Sequence, residues 1–93
     1  MSEAPITRDV VIQNRLGLHA RASAQFVKTA GQFRAEITVQ AGTQQVNGKS
    51  IMGLLLLAAA QGTTLRLRAA GVDAPAALDA LVALVQGRFG EPE

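Results

Sequence analysis

From Phe33 to Gln40 the chain alternates without a break: Phe33, Ala35, Ile37 and Val39 on one side, Arg34, Glu36, Thr38 and Gln40 on the other. A period of two presents one apolar and one polar face only in an extended strand. Any fold for this chain must therefore hold a sheet with one wet side. Two further runs share the period. Ile6, Arg8, Val10 and Ile12 alternate with Thr7, Asp9, Val11 and Gln13, and Leu65, Leu67 and Ala69 alternate with Thr64, Arg66 and Arg68. After the clearest strand, Ala41-Gly42 can turn the chain back into a weaker one, Thr43 to Asn47.

Between these strands the period changes. Ala22, Phe26 and Ala30 recur every four residues, with Ser23 and Val27 beside them and Gly31 as a stop, which predicts a helix. Ser50 is placed to cap a short helix running through Leu57, with Gln61-Gly62 closing that region. Asp73 is placed to cap a last helix with Pro75 in its first turn, along which Leu78, Leu81, Val82, Val85 and Phe89 form one apolar stripe. The predicted order is βαββαβα. Strands with one wet face suggest an α+β fold, an antiparallel or mixed sheet with helices on its other face.

With 93 residues, of which 48% are apolar, the chain makes one core and one domain, residues 1–93 with frayed ends. It holds no cysteine and a single histidine, which removes disulfides and thiolate zinc sites and argues against any metal. Met1 to Arg8 lacks the basic-then-apolar pattern of a signal peptide, and the longest apolar run, Leu54 to Ala60, is seven residues. A cytoplasmic protein that does not enter a membrane is expected. From Arg8 to Arg68 there are eight basic and two acidic residues, whereas the tail from Ala69 is acidic. A basic middle can attract phosphate, nucleic acid or an acidic protein. Three Phe and no Tyr or Trp give little for bases to stack on.

His19 stands where a glycine-containing loop, Asn14-Arg15-Leu16-Gly17-Leu18, meets a predicted helix start. A first helical turn offers unpaired N–H groups and partial positive charge, which suit a bound anion. The same field disfavours imidazolium and favours a neutral, nucleophilic ring able to form a covalent phosphohistidine. The phosphate would sit over the backbone N–H groups of Ala20 and Arg21, with the Arg21 side chain supplying charge-assisted bonds. Gly17 would let the loop backbone approach closely. Taken singly, each of these residues is more often an ordinary surface, capping or turn residue.

The run from Asn14 to Val27, NRLGLHARASAQFV, resembles the active-site segment of the HPr family, the histidine phosphocarriers of the bacterial phosphoenolpyruvate-dependent phosphotransferase system. A second run, Val46 to Leu55, VNGKSIMGLL, resembles the family's regulatory-serine region, and element order and length fit from end to end. The resemblance implies an open-faced βαββαβα sandwich, a four-stranded antiparallel sheet with three helices on one face. It implies phosphorylation of His19 on Nδ1 by phosphorylated enzyme I and donation to an EIIA-type domain, with Arg21 assisting. It also implies a carrier with no turnover, cofactor or metal of its own. Most members have proline directly after the active-site arginine, and this chain has Ala22. That difference bears on whether the chain serves the sugar-uptake or the nitrogen-related (NPr-like) branch.

Ser50 has two compatible roles, a helix cap and, by resemblance, a site for a dedicated HPr kinase/phosphorylase. Ile51, Met52, Leu54, Leu55, Leu56 and Leu57 are too many apolar residues for one short helix to bury. Ile51, Met52 and Leu55 are expected in a docking patch, rimmed by Arg21, Lys28 and Lys49, for acidic partners. A monomer that does not bind nucleic acid is expected. Two alternatives remain: a regulatory protein-binding module on the same fold without transfer, and a nucleic-acid-binding domain using Arg34, Arg66 and Arg68.

Overall fold

A computed structural model describes residues 4–93. Met1 to Glu3, the start of the segment read against a signal peptide, lie outside the described residues. The alternating runs become strands β1 (Ile6–Val11), β2 (Glu36–Ala41), β3 (Gln44–Asn47) and β4 (Thr64–Ala70). They form one sheet in the order β1-β4-β2-β3, with every neighbouring pair antiparallel. Helices α1 (Ala20–Ala30), α2 (Ile51–Leu57) and α3 (Ala74–Gln86) complete a βαββαβα chain, followed by a single 3₁₀ turn, Arg88–Gly90.

The register explains the alternation. Val39 lies opposite Leu67, and Ile37 opposite Ala69, so the apolar residues of β2 and β4 share one face. Ile37, Val39, Leu65, Leu67 and Ala69 are all buried there, against Phe26 of α1, Leu54 of α2 and Leu78, Leu81 and Val85 of α3. The other face carries Asp9, Arg66 and Arg68 in solvent, with Asp9 opposite Arg66 and bonded to it. Arg66 and Arg68 are exposed on that solvated sheet face, and Arg34, which lies just before β2, is exposed outside it.

Three features differ from the sequence expectation, two element boundaries and one helix cap. Strand β2 begins at Glu36, not Phe33. The amides of Arg34 and Ala35 both donate to the Asp73 carboxylate, each at 2.8 Å, and so do not join the ladder. For the same reason Asp73 occupies the N-cap position of α3 without its side chain capping that helix. Its carboxylate instead ties the approach to β2 to the start of α3. The bond from the Arg34 amide, foremost, holds that carboxyl below its usual range.

The third difference is at the other end of α3. The helix stops at Gln86, so Phe89 does not extend it. Arg88, Phe89 and Gly90 instead take left-handed backbone, with φ of 59°, 54° and 76°. Phe89 is nevertheless buried in the core. The apolar stripe thus continues beyond the helix because the chain turns back sharply enough to return Phe89 to the same core.

Helix α2 begins as expected. Ser50 Oγ accepts a hydrogen bond from the Gly53 amide at 3.0 Å, satisfying a donor the first turn leaves open. Ser50→Ala is expected to lower unfolding free energy by about 1 kcal/mol, measured by urea denaturation. Leu54 and Leu57 are buried, while Ile51, Met52, Leu55 and Leu56 are exposed.

Candidate phosphoryl-acceptor site

The β1–α1 loop is shaped by close backbone approach. Gly17 has φ of +66°, and a Cβ there would lie 2.5 Å from the Ala59 carbonyl oxygen. No other L-residue fits both the conformation and the space. The Leu18 amide bonds to that same Ala59 carbonyl at 2.9 Å, pinning the loop to the segment after α2. His19 follows as the N-cap of α1 in extended backbone, and its side chain makes no capping bond. The first intrahelical bond runs from the Ser23 amide to the His19 carbonyl, leaving the amides of Ala20, Arg21 and Ala22 outside the ladder. Ser23 Oγ, buried, donates to the Leu18 carbonyl and fixes the loop from below.

The structure thus brings His19, Ala20 and Arg21 together at an open helix end. The His19 side chain is 28% exposed. It shares a shallow cleft of about 220 Å³ with Arg21, Arg15, Leu16 and the tail residues Glu91 to Glu93. Arg21 is exposed, and its guanidinium makes no ion pair among the described residues. A larger cleft of about 430 Å³ lies between β2, β3 and Lys49, and His19 does not line it.

Of two further site residues, Glu91 carried no signal in the sequence, and Asn14 carried one only as the first residue of the run that resembles the active-site segment. Glu91 Oε2 lies 2.5 Å from His19 Nε2, although the two are 72 positions apart. Glu91 Oε1 accepts from Asn14 Nδ2 at 3.0 Å, and that nitrogen also donates to the Gly17 carbonyl at 2.9 Å. Burial, the largest single influence on the Glu91 carboxyl, raises it. The bonds from His19 and Asn14 and the nearby charges of His19 and Arg21 outweigh burial, so the net shift is downward. The tail is further held by the Arg15 amide on the Glu93 carbonyl and the Arg15 guanidinium on the Glu93 carboxylate, both at 3.0 Å.

The expected docking residues are distributed less uniformly. Lys28 is exposed in the last turn of α1. Lys49 is half-buried, and its ammonium donates to the Phe33 carbonyl at 2.7 Å. Among the described residues no group of three or more His, Asp or Glu could hold a metal ion.

An imidazole at an open helix end, with an arginine in the same cleft, on an open-faced βαββαβα sandwich defines the class of histidine phosphocarriers. The comparisons give the family. A family profile described as the PTS HPr component phosphorylation site matches residues 6–87. The phosphocarrier protein HPr of Neisseria meningitidis is 50% identical over 88 residues, covering 95% of this chain and 99% of that protein. The phosphocarrier protein NPr of Shewanella violacea is 45% identical over 86 residues, covering 92% of this chain and 94% of that one. The crystal structure of HPr-C-His from Thermoanaerobacter tengcongensis superposes with a TM-score of 0.88 at 42% identity, covering 98% of this chain and 100% of that one. The chain belongs to the HPr family of phosphocarriers of the phosphotransferase system, phosphoryl carriers rather than enzymes. Membership implies enzyme I and EIIA as the kinds of partner. Among the described residues no helix is long and apolar enough to cross a membrane.

Proposed function

We propose that this chain, as a monomeric single domain in the cytoplasm, accepts a phosphoryl group from phosphorylated enzyme I on Nδ1 of His19 and passes it to an EIIA-type domain. The observation that carries this reading is the position of His19. Its ring stands at the start of α1, beside three backbone amides outside the helical ladder and in one cleft with Arg21. Those amides and the guanidinium are donors left available to phosphoryl oxygens. No small molecule is turned over, so the chain needs no cofactor of its own.

The exposed Ile51, Met52 and Leu55 would supply an apolar surface, and exposed Lys28 and half-buried Lys49 basic charge, for acidic partners. Ser50 is the site where an HPr kinase/phosphorylase would act. A phosphate there adds about −1.5 to −2 charge next to Ile51 and Met52, which opposes docking of an acidic partner.

The test is to mix the protein with enzyme I and phosphoenolpyruvate and follow its mass. The expected result is a gain of one phosphoryl group that acid removes. Absence of that gain, together with salt-dependent binding to nucleic acid, would support the nucleic-acid alternative instead.

A further inference from the structure

We propose that Glu91 is a positioning residue for His19: it holds the ring as the tautomer whose proton is on Nε2, leaving the Nδ1 lone pair free to attack phosphorus. The proposal rests on His19 being the phosphoryl acceptor.

Glu91 Oε2 and His19 Nε2 are 2.5 Å apart. A carboxylate can only accept, and the downward shift of the Glu91 carboxyl keeps it ionised. The proton in this contact is therefore on Nε2, which assigns the lone pair of a neutral ring to Nδ1. The Glu91 side chain is only 8% exposed, so water does not compete freely for the contact. Its other oxygen is claimed by Asn14 Nδ2, whose orientation is set independently by the Gly17 carbonyl. This orientation has a cost, because Asn14 Oδ1 is buried without a partner. A buried polar atom left unpaired calls for an explanation. Here, turning the Asn14 amide round would set its one oxygen against both the Glu91 carboxylate and the Gly17 carbonyl.

The tail is shaped to deliver this carboxylate. Three consecutive left-handed residues, Arg88 to Gly90, return Phe89 to the core, and Glu91 follows directly. During transfer the Nδ1 lone pair forms the new N–P bond while the donor–phosphorus bond of phosphorylated enzyme I breaks, its electron pair staying with the donor. The His19 ring gains positive charge, carried in part by Nε2–H facing Glu91. The carboxylate stabilises that charge from the side of the ring opposite the arriving phosphate.

The geometry makes a counter-intuitive prediction. In Glu91→Gln one carboxylate oxygen becomes an NH₂ group. Asn14 Nδ2 needs an acceptor, so the glutamine carbonyl turns toward Asn14 and its NH₂ toward His19. That arrangement favours a proton on Nδ1, the nitrogen that must react. Glu91→Gln is therefore expected to impair transfer more than Glu91→Ala, which merely loses the preference.

The test uses the full chain with Glu91→Gln and Glu91→Ala. Nitrogen NMR of the unphosphorylated ring reads the tautomer, and single-turnover phosphorylation by phosphorylated enzyme I reads the rate. Expected are an Nε2–H ring in the unaltered protein, a shift toward Nδ1–H in Glu91→Gln, and a rate lower in both, on the order of ten- to a hundredfold for Glu91→Ala. An unchanged tautomer and rate in both folded variants would overturn the proposal. The NMR arm uses no donor. A tautomer that depends on Glu91 in a protein that enzyme I fails to label would overturn the transfer reading and leave the positioning contact standing.

Discussion

Replacing Phe89 with alanine is expected to lower unfolding free energy by about 3–5 kcal/mol, the range for truncating a fully buried phenylalanine. Phe89 is 1% exposed and lies in the same core as Leu78, Leu81 and Val85. It is held there on left-handed backbone, φ 54°, which an L-residue adopts only when something repays the strain. Burial of the ring is that repayment. A small domain has about 5–15 kcal/mol of total stability, so the variant should show a much lower urea midpoint while remaining folded at low denaturant. A second effect should accompany the first. Without the ring as an anchor, the left-handed turn loses its reason to form, and Glu91 leaves His19. The His19 ring resonances should then move even in the folded variant. A loss below about 0.5 kcal/mol, the size of an ordinary surface change, would show that the tail is not part of the core.

Phe89 also marks where the sequence stops being informative. Its place in the apolar stripe was legible, because Leu78, Leu81, Val85 and Phe89 keep helical spacing. Spacing carries no sign of handedness: Gly87, a stop of the same kind as Gly31, is the one local sign that the helix ends at Gln86, and nothing showed that Phe89 reaches the core by a different backbone route. The tail beyond it reads as a frayed acidic end. Glu91 acquires a role only through a contact 72 positions away, and a contact of that range leaves no local pattern. The buried Asn14 is similar. In sequence it opens the loop and the run that resembles the active-site segment, but its particular role comes from the two acceptors that the fold brings to its amide.

Asp73 shows a subtler failure. Its position before Ala74-Pro75 is that of an N-cap, and it does stand at the N-cap of α3. The competing demand was invisible: the amides of Arg34 and Ala35, just before the ladder of β2 begins, needed acceptors. A long-range pair of donors outweighed the local one, which also delayed the start of β2. By contrast, Ser50 has no such competitor, and its capping bond to Gly53 forms as the sequence suggests. Local signals were reliable wherever no distant backbone group claimed the same side chain.

His19→Ala is expected to remove phosphoryl labelling completely. No other residue among those described offers a nucleophilic nitrogen at a helix start, and an alanine methyl cannot form a P–N bond. The fold should survive, since the His19 side chain caps nothing and touches solvent. A loss of about 1–3 kcal/mol is expected, because the nearly buried Glu91 carboxylate would keep Asn14 but lose its other partner. Acid stability identifies any label that persists. A phosphoimidazole is cleaved by acid, whereas a phosphate ester on Ser50 is not, so the two sites are separable in one experiment. An acid-labile phosphoryl group on the His19→Ala protein would move the acceptor elsewhere and remove the chemical meaning of the open helix end. Arg21→Ala should behave differently from His19→Ala. The guanidinium stabilises charge on the transferring group without bonding to phosphorus, so its loss should slow labelling while still allowing it to reach completion.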